Sequence, residues 1–540
     1  MHSATASPSP SPTRPAWRPD LGDGTYKNPV LNADYSDPDA IRVGDDYWMI
    51  SSSFCHVPGL PVLHSRDLVN WTLVNHALPA LVPGKHYSGV RHGHGVWAPA
   101  LRHHAGLFWI YYPDPDFGIY AITARDPRGG WSDPVLVKGG KGLIDPCPLW
   151  DDDGRVWLVH GWAKSRSGIC NIITLHRLAA DGLSVADEGR VVIDGNAMPG
   201  WNTIEGPKFY KRNGWYYIFA PAGGVGTGYQ AVFRSRNIDG PYEDRITLER
   251  GNTHVNGPHQ GAWVDTPLGE HWFLHFQEIP AMGRVVHLQP MTWGKDDWPR
   301  MGTAAGSAAE GDAPGHPVLR HAMPRTASSS SANTAAVAAE PATSDDFSSA
   351  RLGRQWQWQA NPREAWARID TAAQTLHLAC VPTPEPHSHW LSPNLLLQKF
   401  PAPAFTATVA MRFAPSGEGG TAGLMVFGYN YAWLGLRRED GALRLLLVTC
   451  HDAHEAAARE HIVASAGVAS SEVFLRVTVT PHAECRFSRS DDGKTFIPIG
   501  GVFQATSSRW VGAKVGLFAS ALPDSRPGDS AAFRQFTVTA

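Results

Sequence analysis

Residues 35–50 read YSDPDAIRVGDDYWMI, where an acid, Asp37, comes ten residues before a short aromatic run that starts at Tyr47. Four further units repeat this arrangement, with a polar or aromatic residue eleven or thirteen residues before the run. The five runs begin at Tyr47, Phe108, Val156, Tyr216 and Trp272, and the preceding residues are Asp37, Trp97, Asp145, Glu205 and His259. Repeats of 48 to 61 residues with short strands are typical of propeller blades, whose equivalent positions meet at a central funnel. The spacing therefore predicts a β-propeller with three carboxylates in its funnel.

The composition limits the class of protein. A chain of 540 residues is too long for one core, so two or more domains are expected. The net charge is −3 and no long basic run occurs, which argues against nucleic acid or an anionic membrane as partner. The six cysteines include no Cys-x-x-Cys pair, so neither a disulfide framework nor a zinc site is indicated. The 21 tryptophans suit a β-rich fold that stacks on flat ligands.

The N-terminal residues 1–20 are rich in Ser, Pro and Ala and lack the apolar core of a signal peptide. No stretch approaches the roughly 20 apolar residues of a membrane span. We therefore expect a disordered N-terminal segment and a soluble, cytoplasmic protein. An export signal ahead of the given start would change the second expectation.

The rest of the chain divides by composition. Residues 21–300 hold the repeating units and have little helical periodicity, so this part is predicted to be the propeller. Residues 301–342 are rich in Ala, Gly, Ser and Thr, which favours a linker. Residues 343–540 contain apolar and alternating runs typical of an antiparallel, jelly-roll-like β-sandwich. The fold class is therefore predicted to be all-β.

The three acids share a local pattern. Asp37 and Asp145 each precede a proline, and Glu205 precedes Gly206-Pro207. A single Asp-Pro pair usually marks a turn. Three acids at equivalent positions in three of the repeating units are hard to explain as turns alone. Such acids could bind a metal, or they could carry acid–base chemistry. Like charges held together leave one carboxyl protonated and another ionised, which is what cleavage of a glycosidic bond requires.

Two further residues have open interpretations at this stage. His259 occupies the fifth unit's equivalent position and is a structural histidine, a group that orients an acid, or a ligand that holds a hard cation through water. Arg284 follows the last repeat and is either a surface cation or a guanidinium that binds hydroxyls and tunes the acids.

The motifs also occur in a characteristic order. They are Asn28-Pro29, Ser36-Asp37-Pro38-Asp39, Pro58-Gly59-Leu60-Pro61, Trp97-Ala98-Pro99, Ile144-Asp145-Pro146, Glu205-Gly206-Pro207, and Gly283-Arg284 ahead of Gln289-Pro290. In this combination the sequence resembles glycoside hydrolase family 43, from residue 27 to 293 and again over the C-terminal domain. The resemblance implies a five-bladed β-propeller followed by a sandwich like that of the family's β-xylosidases.

The resemblance also implies a role for each acid. Asp37 matches the general base that activates water, and Glu205 matches the general acid that protonates the leaving group. Asp145 matches the third acid, which tunes and positions Glu205. The family inverts anomeric configuration, so the carboxyl groups of Asp37 and Glu205 should lie about 6.5–9.5 Å apart.

Substrate and metal contacts follow from the same resemblance. The expected substrate-binding residues are Phe54, Trp97, Ala98, Ile144 and Arg284. No cofactor is needed for the chemistry. Some members of the family hold Ca²⁺ near the histidine that matches His259, so a structural Ca²⁺ bound through water is an optional feature here.

The leading functional interpretation is exo-acting release of xylose from the non-reducing end of β-1,4-xylo-oligosaccharides. The close alternative is an α-L-arabinofuranosidase, or a bifunctional enzyme, that acts on arabinose-substituted oligosaccharides from arabinoxylan or arabinan, because the motifs do not separate the two sugars. A fructan- or sucrose-cleaving propeller enzyme is disfavoured, since its motifs differ at Ser36, Asp39 and Gly206. A carbohydrate-binding propeller without activity is disfavoured because all three acids are present. Assembly into a homo-oligomer is left open.

Overall fold

The computed structural model describes residues 16–304, 313–326, 341–523 and 528–540. Nearly all regular structure in these ranges is β-strand, which confirms the predicted fold class. The helical segments described are the α-helix Lys164–Ser167 and the 3-10 turns His86–Ser88, Gly195–Ala197 and Glu364–Trp366. None of the helices described is long and apolar enough to cross a membrane.

Five antiparallel sheets of four strands each follow one another along the chain and form the blades of the predicted propeller. Blade 1 contains Asp39–Val43, Asp46–Ile50, Gly59–Ser65 and Thr72–Leu78. Blade 2 contains Ala100–His104, Leu107–Asp114, Gly118–Ala124 and Val135–Gly139. Blade 3 contains Leu143–Trp150, Val156–Trp162, Ile172–Leu178 and Arg190–Asp194. Blade 4 contains Lys208–Arg212, Trp215–Ala222, Tyr229–Ser235 and Glu243–Leu248, and blade 5 contains His259–Asp265, His271–Ile279, Gly283–Trp293 and Pro299–Met301.

The aromatic runs form the second strand of each blade because that strand is buried on both faces. Each pair of neighbouring blades encloses its own hydrophobic cluster, including the pair formed by blades 5 and 1. In blade 2, for example, alternate residues of the Leu107–Asp114 strand pack toward blade 1 and toward blade 3. When both faces of a strand contact apolar surface, its sequence is a continuous hydrophobic run rather than an alternation of polar and apolar residues.

The strand register confirms the repeat seen in the sequence. The last residues of the five aromatic runs are Ile50, Tyr111, Val159, Phe219 and His275, and they pair with Asp39, Ala100, Cys147, Lys208 and Gly261. Counted back from these partners, Asp37, Asp145 and His259 come two residues earlier. Trp97 and Glu205 come three residues earlier. The five residues that precede the runs therefore occupy equivalent places to within one residue.

Two predicted boundaries need correction. Residues 305–312 and 327–340 of the predicted linker at 301–342 lie outside the described residues. Met301 ends the last strand of blade 5, and Arg320–Ala322 pairs antiparallel with Thr25–Lys27, so these parts belong to the propeller. The predicted disordered segment at 1–20 is described only from residue 16, and there Trp17 Nε1 donates a hydrogen bond to the Pro29 carbonyl at 2.9 Å.

The C-terminal domain is a β-sandwich, as predicted, and its strands pair antiparallel except for the short parallel pair of Val381–Pro382 with Lys514–Ala521. One sheet has the order Gln357–Trp358, Leu396–Lys399, Lys514–Ala521, Thr421–Phe427, Tyr431–Glu439, Ala442–Cys450 and Glu460–Gly467, with Val381–Pro382 beside Lys514–Ala521. The other has the order Ala367–Asp370, Thr375–Ala379, Ser530–Thr539, Phe405–Arg412, Glu472–Val479, Glu484–Ser490 and Ile497–Gln504. The inner faces of the two sheets share one large hydrophobic core.

The sandwich packs directly against the propeller. The backbone of Val57 pairs with that of Trp358, and the His92 ring stacks on Trp390 with ring centroids 3.7 Å apart. Near the funnel, the Gly512 N–H donates to the buried carboxylate of Asp34 at 3.1 Å. These contacts bring the sandwich loop at residues 507–512 to the mouth of the propeller.

Candidate active site

The propeller funnel opens into one pocket of about 830 Å³, a volume that includes its open mouth. It is lined by Asp37, Phe54, Trp97, Ala98, Ile144, Asp145, Thr203, Glu205, Gly224, Val225, Gln260, Arg284 and Trp510. The structure therefore brings together the three predicted acids and the five predicted substrate-binding residues. His259 lies directly behind this lining, in contact with Glu205.

A left-handed residue followed by proline turns the chain from the funnel into the inner strand. Asp37 has φ of 54° and Asp145 has φ of 56°, values that non-glycine residues rarely adopt. In blade 4 the same conformation falls on Gly206, with φ of 61°, where a Cβ atom would come within 2.8 Å of the Gln260 side chain. Because glycine takes the left-handed position there, the acid Glu205 lies one residue earlier than its counterparts.

Asp37 is held by several donors at the bottom of the pocket. Its Oδ2 accepts hydrogen bonds from the hydroxyls of Ser36 at 2.7 Å and Ser52 at 2.5 Å. Arg284 Nη1 donates to the Asp37 Oδ1 at 3.1 Å and to the Ser36 hydroxyl at 2.8 Å. Hydrogen bonds of this kind suit an ionised carboxylate and fix its orientation. Ser36 and Ser52 were not among the predicted site residues.

Asp145 and Glu205 form an acidic pair. Asp145 is buried, and its Oδ2 accepts a hydrogen bond from the Gly206 N–H at 2.8 Å, one residue beyond Glu205. Burial, and then the negative charge of Glu205, raise the pKa of Asp145 to about 8. The pair therefore retains a proton at neutral pH. Since the Glu205 side chain is 26% exposed and Asp145 is enclosed, Glu205 is the member of the pair that a ligand can contact.

His259 orients Glu205. It is fully buried, and its Nε2 lies 3.0 Å from the Glu205 Oε1. Among the described residues, no three His, Cys, Asp or Glu side chains are grouped so that they could hold a metal ion. One imidazole and one carboxylate do not provide the oxygen-rich shell that Ca²⁺ requires. The donors present therefore do not fit a protein-ligated calcium, and binding through water remains a prediction.

The aromatic wall of the pocket comes from both domains. The Trp97 ring meets Phe54 with centroids 6.3 Å apart and Trp510 with centroids 6.0 Å apart. Trp97 Nε1 donates to the Gly93 carbonyl at 3.0 Å, which fixes the ring. Trp510 belongs to the sandwich loop and has a left-handed φ of 65°. Flat apolar rings of this kind stack on the faces of sugars.

Several lining residues were missed by sequence reasoning. They are Thr203, Gly224, Val225, Gln260 and Trp510. Gln260 follows His259 in the repeat, so the repeat phase could have indicated it. Thr203 has φ of 51°, unusual for a β-branched residue, but nothing in the sequence marks this conformation. Trp510 lies in the sandwich domain, outside the repeating units, so the repeat could not have indicated it.

Comparison with known families agrees with this geometry. Residues 26–299 match the model of glycosyl hydrolases family 43, and residues 344–539 match the β-xylosidase C-terminal concanavalin A-like domain. The chain belongs to glycoside hydrolase family 43. It is therefore an enzyme that hydrolyses glycosidic bonds, as predicted.

Individual members of family 43 resemble the chain over most of its length. A β-xylosidase of Formosa agariphila is 30% identical over an alignment of 549 positions, which covers 93% of this chain and 88% of that protein. A non-reducing end α-L-arabinofuranosidase of Bacteroides ovatus is 29% identical over 75% of this chain and 74% of its own length. The crystal structure of a xylan β-1,4-xylosidase from Bacillus halodurans matches the fold with a TM-score of 0.80 at 23% identity, over 95% of this chain and 100% of that one.

Replacement of Asp145 by Asn should stabilise this family 43 enzyme at alkaline pH. In the folded state the pKa of Asp145 is raised from 3.8 to about 8, so across this window the folded state binds a proton that the unfolded state has lost. Stability is therefore lost as the pH rises from about 4 to about 8. Asparagine avoids this loss, and its side-chain oxygen can still accept the Gly206 N–H. Thermal unfolding at about pH 9 should show a higher midpoint for Asp145→Asn than for wild type, with a smaller difference at about pH 5.

The pH dependence is the decisive feature of that experiment. A shift of equal size at both pH values would mean that the substitution acts through packing alone and that the carboxyl is not perturbed. Asp181→Asn, at an exposed turn of blade 3, serves as the matched control and should leave both midpoints unchanged.

Proposed function

We propose that this enzyme removes xylose, one residue at a time and with inversion, from the non-reducing end of β-1,4-xylo-oligosaccharides. The observation that carries the proposal is a single pocket that contains a carboxylate bound to Arg284 and, separately, an acid pair that retains a proton. The names of relatives, including the β-xylosidase of Formosa agariphila, support this substrate class.

Asp37 is the general base in this proposal. Its carboxylate removes a proton from a water molecule whose oxygen attacks the anomeric carbon. Arg284 and the two serine hydroxyls keep Asp37 oriented for this step. We expect the carboxyl groups of Asp37 and Glu205 to lie about 6.5–9.5 Å apart, a gap that admits the attacking water.

Glu205 is the general acid. It donates its proton to the glycosidic oxygen as the bond from that oxygen to the anomeric carbon breaks, so the leaving sugar departs as an alcohol. Asp145 acts as a positioning residue: it binds the Gly206 N–H, and its charge coupling to Glu205 keeps a proton on the pair. After one turnover, Asp37 holds the extra proton and Glu205 lacks one, and exchange with solvent restores both.

The enclosure of the acids on all sides but the mouth supports exo action. Blades of the propeller enclose the acids, and Trp510 of the sandwich stands against Trp97 at the mouth. Such a wall leaves room for the terminal sugar of a chain but not for a chain that continues in both directions. Phe54, Trp97, Ala98, Ile144 and Arg284 surround the space that this terminal sugar would occupy.

An α-L-arabinofuranosidase activity is the second candidate. The relative from Bacteroides ovatus bears that name and is 29% identical over most of this chain. The pocket lining includes few groups that would discriminate the two sugars, since its apolar walls would contact ring faces and its charged groups would contact hydroxyls of either sugar. The choice between these sugars is therefore a question for kinetics.

Initial rates on aryl β-D-xyloside and aryl α-L-arabinofuranoside test the proposal. We expect a higher kcat/KM for the xyloside, release of xylose alone from xylotetraose, and formation of α-xylose as the first product by NMR. A faster arabinofuranoside would shift the enzyme to removal of arabinose side groups and leave the acid roles intact. Internal cleavage of xylotetraose to xylobiose would contradict exo action, and initial formation of β-xylose would contradict inversion.

A further inference from the structure

The mouth of the pocket carries two arginines beside its two tryptophans. The guanidinium carbon of Arg166 lies 5.5 Å from the centroid of the Trp97 ring, and that of Arg509 lies 4.9 Å from the centroid of Trp510. The two rings are themselves 6.0 Å apart and both line the pocket. Two positive charges therefore stand where the rest of a bound oligosaccharide leaves the funnel.

Arg166 is neutralised by its surroundings. Its Nε lies 3.2 Å from the Asp116 Oδ1, and the other oxygen of Asp116 lies 2.6 Å from the Nδ1 of His94. The contact with His94, together with the charge of Arg166, lowers the pKa of Asp116, so this carboxylate is ionised at neutral pH. Arg166 therefore has an internal counter-ion.

Arg509 has no such counter-ion. It is exposed on the sandwich loop, and within the described ranges no carboxylate forms an ion pair with it. Its position is nevertheless well defined, because its stem and the Trp510 ring cover Gly93, where a Cβ atom would meet the Arg509 Cγ at 2.5 Å. Arg91, two residues before Gly93, is likewise exposed, and its Nε donates to the His86 carbonyl at 3.4 Å. Among the described residues it forms no ion pair. The rim at Arg509 and Arg91 thus has uncompensated positive charge.

The leaving part of the substrate must pass this rim. Asp37 and Arg284 are 5% and 6% exposed, whereas the Glu205 side chain is 26% exposed. In the proposed function the terminal sugar would therefore lie over Asp37, and the remaining sugars would extend past Glu205 toward the mouth. We propose that Arg509, assisted by Arg91, binds a carboxylate on those remaining sugars. The natural substrates would then include xylo-oligosaccharides that carry an acidic sugar substituent on the leaving side. This inference rests on the proposed function.

The chemistry of arginine suits this role. A guanidinium presents parallel N–H donors that match both oxygens of a carboxylate, and stacking on an aromatic ring limits its motion before binding. Because the rim is exposed to water, the gain from one such contact is modest and depends on salt. We therefore expect a preference of about fivefold rather than an absolute requirement for the charge.

The test compares two substrates that differ only in charge. One is xylotriose with a glucuronic acid substituent on its reducing-end sugar, and the other is the same compound after reduction of the carboxyl to give glucose. Wild type should show about fivefold higher kcat/KM for the acidic compound at about 20 mM salt, and the preference should vanish at about 0.5 M salt. Arg509→Gln should abolish the preference at low salt, whereas Arg509→Lys should retain part of it.

Arg459→Gln provides the matched control. Arg459 is an exposed sandwich arginine whose Nη1 donates to backbone carbonyls, and its replacement should leave the preference at the wild-type value. Equal kcat/KM values for the two substrates in wild type, or a preference that survives Arg509→Gln, would overturn the inference. Failure of wild type to hydrolyse either compound or unsubstituted xylotriose would instead contradict the proposed function, and the inference with it.

Discussion

Asp37→Asn should lower kcat on every substrate by about 10³- to 10⁴-fold, whatever the leaving group. The asparagine oxygen can take the place of the Asp37 Oδ2 and accept the hydrogen bonds of Ser36 and Ser52, so the pocket should keep its shape. The amide NH2 group then faces Arg284 and accepts no hydrogen bond from it. An amide does not take a proton from water, however, and the attacking nucleophile is then not activated. The loss should therefore be similar for xylobiose and for an aryl xyloside with an activated leaving group. KM should change little, because the sugar contacts remain.

Asparagine is a better probe here than alanine. Both substitutions remove the negative charge that pairs with Arg284, but alanine also leaves the buried hydroxyls of Ser36 and Ser52 without their acceptor. Asp45→Asn, at an exposed turn of the same blade, is the matched control and should retain wild-type kcat. An Asp37→Asn variant within tenfold of wild type on xylobiose would remove Asp37 from the role of base.

The propeller was predictable because its signal is periodic. Each blade needs one strand buried on both faces, so the aromatic runs recur at nearly constant spacing, and the acids before them recur at the same phase. The one-residue offset of Glu205 was not visible, because it depends on the left-handed conformation of Gly206 rather than on composition. Counting positions back from each aromatic run was nevertheless enough to predict that all three acids lie in one pocket.

The features that were missed depend on contacts between distant segments. Arg320–Ala322 is a strand because it pairs with Thr25–Lys27, almost 300 residues away, and three residues within Ala- and Ser-rich sequence give no local sign of this. Trp510 reaches the pocket only because the sandwich docks on the propeller through Gly512 and Asp34. Such residues become functional through packing between domains, for which the sequence has no periodic pattern.

The signature of Glu205→Gln should be a loss of activity that depends on the leaving group. Glutamine can still accept the contact from His259 but has no proton to give to the glycosidic oxygen. Xylobiose, whose leaving sugar needs that proton, should lose about 10³-fold in kcat, whereas an aryl xyloside with an acidic phenol should lose about tenfold or less.

The pH profile of the same variant should change in a specific way. In wild type, kcat/KM should fall as the pH rises through about 8, because the acid pair then loses its proton. Burial is the largest cause of the raised pKa of Asp145 and the charge of Glu205 is the next, so removal of that charge lowers the Asp145 pKa. Because glutamine has no proton to lose and an activated leaving group needs none, the alkaline limb should disappear for the activated substrate. Glu188→Gln, exposed on blade 3, should keep the wild-type profile. Equal losses on both substrates, together with an unchanged alkaline limb, would show that the proton reaches the leaving group from another residue. Removal of a general acid slows the reaction more when the leaving oxygen is more basic, so the two substrates must differ if Glu205 has that role.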